Sequence, residues 1–398
     1  KIRRQLAETQ PAAYLPDLAM SLSNLASHLS VQGDAQSRTE ALAYAREAVK
    51  IRRQLTETQP AAFLPGLALS LNNLATYLLA QGDAQSRSEV LAYAREAVKI
   101  HRQLVENQSA AYLPGLAMSL NNLAWHLSEQ GDAQSRTEAL AYVRESVEID
   151  RQLAEIQPAA YLPGLAMSLN NLAKCLFEQG DAQSRTEALA YAREGVKMYR
   201  QLSEIQPAAY LSDLAGSLHN LTNHLSTQGD AQSRTEALAY AREAVKIYHQ
   251  LAETQPTVYL PGLAMSLKNL ASHLSAQSNS QFRSEALSCV RKAVKMHRKL
   301  AETQPAAYLP DLAGSLNNLA NRLSEQGDAQ FRTEALECAR ESVKIYAHVW
   351  KAMPHVYERK FEIASRTFVR CAEALALDGT SELKALLMEI QSRDYQKL

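Results

Sequence analysis

Leu15-Pro-Asp-Leu-Ala-Met-Ser-Leu-Ser-Asn-Leu-Ala26 carries leucines at 18, 22 and 25, and Leu29 extends the series. Spacings of four and three put these leucines on one stripe of an α-helix. The stretch returns every 49 residues, seven times in all, and each copy brings the same flanks. Lys1-Ile-Arg-Arg-Gln-Leu6 reappears as Lys50-Ile-Arg-Arg-Gln-Leu55 and Lys99-Ile-His-Arg-Gln-Leu104. The series continues from Glu148, Lys197, Lys246 and Lys295 and degenerates after Lys344. A fixed period of this size marks a repeat architecture, in which each unit buries apolar surface only against its neighbours.

Within a unit, Gln10-Pro11 reads as a helix stop, because proline lacks an amide hydrogen and restricts the residue before it. Residues 12–15 read as a crossing, and Pro16 as the first turn of the next helix. Gly33 reads as a C-terminal cap. Ser37-Arg-Thr-Glu40 reads as a capping box opening a second helix over residues 38–58. That helix turns Ala41, Leu42, Ala45, Ala48, Val49 and Leu55 inward, its alanines allowing close approach. Each unit is therefore a predicted helical hairpin, with no strand signal.

Comparing the seven copies separates scaffold from surface. The Leu18, Leu22, Leu25, Leu29, Leu42 and Val49 columns never change and form the predicted core. Opposite the leucine stripe stand Met20, Asn24, Ser27 and Val31. The Asn24 column is invariant: Asn73, Asn122, Asn171, Asn220, Asn269 and Asn318. Its neighbours vary. The Ser27 column runs Thr76, Trp125, Lys174, Asn223, Ser272, Asn321, and the Ser23 column Asn72, Asn121, Asn170, His219, Lys268, Asn317. On the second helix the Arg3 column runs Arg52, His101, Asp150, Tyr199, Tyr248, His297. These changing columns are read as outward, the pattern of a modular recognition surface.

Composition narrows the function. The 398 residues hold 42 basic and 42 acidic side chains. Nucleic-acid backbone binding needs a positive surplus, so no nucleic acid is expected as partner. No run of about 18 apolar residues suggests a membrane span. Cys175, Cys289, Cys338 and Cys371 lack metal-binding spacing and are expected to be buried and reduced in a cytoplasmic protein. His28, His126, His224 and His273 share a column, but equivalent positions lie roughly 10 Å apart, too far for one metal. Glu40 and Arg46 recur without a cleft. No phosphate loop, HExxH or GxSxG motif appears. An active site needs one asymmetric constellation, whereas each recurring group is repeated seven times. Neither catalysis nor a cofactor is expected.

Leu113-Pro-Gly-Leu-Ala-Met-Ser-Leu-Asn-Asn-Leu-Ala124, with its Gln-Gly and Glu-Ala-Leu landmarks, resembles the tetratricopeptide repeat of the kinesin-light-chain-like type. The unit is longer than usual, with extra residues around 35–38. In the last two units Phe282 and Phe331 replace the box serine. Either Asn279 and Asp328 cap instead, or the two phenylalanines mark a contact with another domain. The resemblance implies a right-handed α-solenoid of seven hairpins over residues 11–353. Residues 1–10 would be the tail of a preceding repeat helix, so the chain is expected to continue upstream. Residues 354–398 would form a helical cap, with helices over 355–377 and 382–393.

By the same resemblance the first helices line a concave groove for an extended or helical peptide or protein ligand. Asn24, Asn73, Asn122, Asn171, Asn220, Asn269 and Asn318 would meet its backbone, since an amide both donates and accepts. Trp125, Lys174, His219, Asn223 and Lys268 would set specificity. Alternatively the asparagines tie neighbouring repeats together. The array would serve as sensor or scaffold arm of a signalling protein with an N-terminal effector domain in the same chain. Other readings are the substrate-recognition region of a multidomain enzyme, ATPase or protease-like, and a spacer.

Overall fold

The computed structural model describes residues 2–32, 35–79, 84–107, 110–277 and 279–392. Among them are seventeen α-helices and no strand. The chain divides into two compact units, Lys1–Tyr210 and Leu211–Leu398. The first holds α1 (Ile2–Thr9), α2 (Pro11–Gln32), α3 (Ala35–Thr58), α4 (Pro60–Leu79), α5 (Ala84–Asn107), α6 (Leu113–Ser128), α7 (Ala133–Ile156), α8 (Pro158–Gln179) and α9 (Ala182–Ile205). Helix α10 (Pro207–Ser226) runs through the division, its first four residues belonging to the first unit. The second unit continues with α11 (Ala231–Thr254), α12 (Pro256–Ser275), α13 (Ser280–Thr303), α14 (Pro305–Ser324), α15 (Ala329–Ala352), α16 (Pro354–Glu373) and α17 (Gly379–Ser392). Inside each unit consecutive helices pack on one another, which makes an all-α solenoid of hairpins.

The leucine stripe is the core. In α4 and α6, Leu67, Leu71, Leu74, Leu78, Leu116, Leu120, Leu123 and Leu127 are buried against Ala94, Ala97, Val98 and Ala139. Leu25 departs from its column: it is 41% exposed where Leu74 is 1%. The eight-residue α1 is too short to cover it. Helix α4 is long and apolar enough to cross a membrane by length and composition, yet its leucines belong to this core.

Both predicted helix starts move towards the N-terminus. Pro11, Pro60 and Pro158 open their helices, where a missing amide hydrogen costs nothing. Pro16, Pro65 and Pro163 therefore lie inside helices rather than at their starts. In the third copy residue 109 is serine. There α6 starts only at Leu113, after a 3-10 turn at Ala110–Tyr112, with Pro114 in its first turn.

The second helices start at the residue equivalent to Ala35. The cap is an aspartate, not the box serine: Asp132, Asp181 and Asp230 accept hydrogen bonds at 2.9, 2.9 and 2.8 Å from the backbone N–H of Ser135, Ser184 and Ser233. The residues that lengthen the repeat are thus an added helical turn. Asn279 caps α13 by accepting from the Gln281 N–H at 2.8 Å, whereas Asp328 makes no side-chain cap bond. Phe282 and Phe331 do not project as a free contact; they pack half-buried against the second unit's core, and the Arg242 guanidinium lies 6.0 Å over the Phe282 ring.

The Gly33 cap lies outside the described residues, as do Lys1 and Arg393. Its equivalents Gly131, Gly180, Gly229 and Gly327 adopt φ of +77°, +85°, +76° and +86°, the left-handed turn a C-terminal glycine cap requires. At the C-terminal end Phe368, Cys371, Leu386 and Ile390 of α16 and α17 complete the second unit's core.

Candidate partner-binding face

On the first helices the asparagine column stays reachable. Asn24 and Asn220 are exposed, and Asn73, Asn122, Asn171, Asn269 and Asn318 are half-buried. One helical turn before each stands a second column, which sequence comparison reached only as Met20. Met20, Leu69, Met167 and Met265 are 47, 44, 42 and 49% exposed, and Met118 is half-buried. In the first unit this face thus pairs an apolar side chain with an amide in every repeat, at i and i+4. In the second unit Gly216 and Gly314 interrupt the apolar column. The signal was available, since a column of apolar residues opposite the core stripe has no packing reason to persist.

The amides divide into two groups. Asn171 Nδ2 donates to Asn121 Oδ1 at 2.9 Å, and Asn269 Nδ2 meets His219 Nδ1 at 3.0 Å, both between neighbouring repeats. The side chains of Asn24, Asn73, Asn122, Asn220 and Asn318 make no hydrogen bond among the described residues.

The Ser23 column is not outward. Asn72, Asn121 and Asn317 are buried, and Asn72 Nδ2 donates to Ser119 Oγ of the next repeat at 2.8 Å. His219 and Lys268 are half-buried. Burial holds both below their ordinary pKa, helped for His219 by the charge of Lys268. Lys174 reaches Glu129 of the preceding repeat at 2.8 Å. Trp125 is half-buried, its ring 5.1 Å from that of His126, and Asn223 is exposed.

The Arg3 column also faces inward, against expectation. Arg52 donates to the Gly66 carbonyl at 2.5 Å and to Ser70 Oγ. His101 Nδ1 pairs with Ser119 Oγ at 2.8 Å, Ser168 Oγ donates to Asp150, and His297 Nδ1 pairs with Ser315 Oγ at 2.8 Å. Each bond joins a second helix to the first helix of the next repeat. The serine is constant, and Ser70, Ser119, Ser168 and Ser315 are buried; Gly115 and Gly262 make room for the rings of His101 and Tyr248, whereas Asp311 holds that column in the repeat of Ser315. A Cβ on Gly115 would lie 2.5 Å from His101 Nε2, and one on Gly262 2.5 Å from Tyr248 Cε1. Burial lowers the pKa of Arg52, His101 and His297 and raises that of Asp150.

Glu40 and Arg46 recur because their columns pair across repeats. Arg46–Glu89, Arg95–Glu138 and Arg144–Glu187 lie at 3.1, 2.9 and 2.9 Å. A parallel row runs Arg53–Glu96, Arg102–Glu145 and Arg151–Glu194 at 2.6, 2.7 and 2.9 Å. The second unit adds Arg242–Glu285, Arg291–Glu334 and Arg298–Glu341. Exposed pairs of this kind contribute about 0.2–1 kcal/mol each. They form a ladder along the outer side of the second helices.

Comparison with known proteins matches residues 312–349 to the tetratricopeptide repeat family. No curated protein matches the chain. Among solved structures, BtubC (BKLC) from P. vanneervenii is 20% identical with TM-score 0.50, covering 65% of this chain and 90% of its own. A kinesin light chain-like protein of Podosopora anserina with nearly identical TPR-like repeats is 20% identical with TM-score 0.43, covering 60% and 96%. The apo form of RapI is 16% identical with TM-score 0.49, covering 84% and 99%. The matched family segment is one of seven near-identical copies, so what identifies it extends along the array. Residues 312–349 thus carry a tetratricopeptide repeat, and the chain has the fold of TPR-like repeat proteins.

Proposed function

We propose that the first-helix face of Lys1–Tyr210 binds a segment of a partner protein, as a sensor or scaffold arm without catalysis of its own. The observation that carries this reading is the exposed row Met20, Leu69 and Met167 beside the unpaired amides of Asn24, Asn73 and Asn122. Thioethers on flexible chains adapt to varied apolar partners. An amide can meet a peptide unit whatever its side chain. Trp125 supplies an aromatic of the kind that anchors interfaces, and Lys174 a charge already held by Glu129. The Asn171–Asn121 and Asn269–His219 bonds favour a second role for those two asparagines, fixing one repeat against the next.

Met118→Glu/Asn122→Ala changes two outward side chains on α6 and should leave the fold intact. Affinity purification from a native lysate with quantitative mass spectrometry would compare it with the unaltered protein. Selective loss of a partner from the variant supports the reading. Recovery of the same set by both would sink it and leave a spacer.

A further inference from the structure

The ion-pair ladder has one missing rung, and both of its ends change together. The Arg4 column is arginine at 4, 53, 102, 151, 200 and 298 but histidine at 249. Its partner column is glutamate at 47, 96, 145, 194, 243 and 341 but lysine at 292. His249 turns instead to Glu253 of its own helix, Nδ1 to Oε1 3.3 Å. Lys292 has no acidic partner among the described residues.

A third change joins these. Lys299 stands where residues 5, 54, 103, 152, 201 and 250 are all glutamine. With Lys295 it makes a stripe at 292, 295 and 299, spacings of three and four that fall on one helical face. All three lysines are exposed. Like charges so spaced repel, so this stretch of α13 forgoes a rung and adds repulsion on the same face. Arg291 and Arg298 beside it are already held by Glu334 and Glu341. The stripe borders a shallow hollow of about 360 Å³ lined by Ser284, Leu287, Ser288, Arg291, Lys292 and Lys295. Ser288 too is new, replacing the alanine of the five preceding copies.

We infer that this outer face of α13 docks an acidic segment of a partner protein, separately from the first-helix face. Charge complementarity selects the occupant. The three lysines span about 10 Å of helix, and Glu285 and Glu302 lie on the same helix to either side of them. A nucleic-acid duplex needs a longer basic track and would meet those flanking carboxylates. A short acidic stretch, with carboxylates spaced at three or four residues, fits between them.

The test is fluorescence anisotropy with a labelled decaglutamate peptide in about 150 mM salt, where surface charge is screened beyond about 8 Å. The whole chain should bind it. His249→Arg/Lys292→Glu, which rebuilds the rung, should keep or raise the melting temperature while weakening binding roughly tenfold or more. Lys295→Ala/Lys299→Ala should weaken it as well, and Met118→Glu/Asn122→Ala should not. Absence of peptide binding, equal binding by the rebuilt rung, or binding of duplex DNA or phosphatidylserine vesicles in preference to the peptide would each overturn the inference.

Discussion

His126 makes this array sensitive to acid. Its side chain is fully buried in α6, and neither ring nitrogen has a hydrogen-bond partner. Burial holds its pKa down to about 4, with Glu129 pulling weakly the other way. In the unfolded chain the ring titrates near 6.5. The unfolded state therefore binds more protons between these values. Stability fully present above pH about 6.5 is lost progressively as the pH falls to about 4. Linkage gives a loss of about 2 kcal/mol from this one ring between pH 7 and pH 5, approaching about 3 kcal/mol below pH 4. His224, pushed down to about 4 by burial, adds its own loss over the same window. Replacing His126 by leucine removes the titration and keeps a buried side chain of similar size. Hydrogen exchange of the α6 and α7 amides at pH 7 and pH 5 would measure the local stability. The variant should retain about 2 kcal/mol of what the unaltered protein loses. Equal losses in both, or a His126 ring resonance titrating near pH 6.5, would refute the reasoning.

Four further outcomes are expected. Gly115→Ala drives a methyl into His101 and should cost about 1–3 kcal/mol in urea denaturation. By contrast, Gly216→Ala meets nothing within 4 Å and should stabilise α10 by about 0.5–1 kcal/mol. Asp181→Ala removes the cap of α9 and should cost about 1 kcal/mol in the same measurement. Phe368→Ala empties a fully buried site in the second unit and should cost about 3–5 kcal/mol, read as a lower melting temperature with early aggregation.

The fold was legible because repetition averages out the ambiguity of any one copy. A leucine kept at four positions in seven copies leaves little but a buried stripe. Boundaries were harder, since most units offer two prolines five residues apart and two capping residues three apart. Pro11 and Pro16 both satisfy the rule for a helix start, and chain geometry chose the earlier. The aspartate of the Gly-Asp turn outcompeted the box serine for the same reason. Variation misled most. The Arg3 column changes in every second copy or so, which suggests a surface. His101, Asp150, Tyr199 and His297 are nonetheless buried, because each needs to fit only the first helix of the repeat beside it. Met20 and its equivalents erred in the opposite direction, apolar and yet exposed.

Those private contacts make the copies alike in shape but unequal as joints. Excising residues 109–157 would bring His101 against Gly164 and Ser168, the same small-residue socket it now occupies at Gly115 and Ser119. Excising residues 158–206 would set Asp150 against Asp213, two carboxylates whose burial already raises their pKa. The first splice should close into a shorter array that tolerates neutral pH. The second should hold together only where one of the two acids carries a proton.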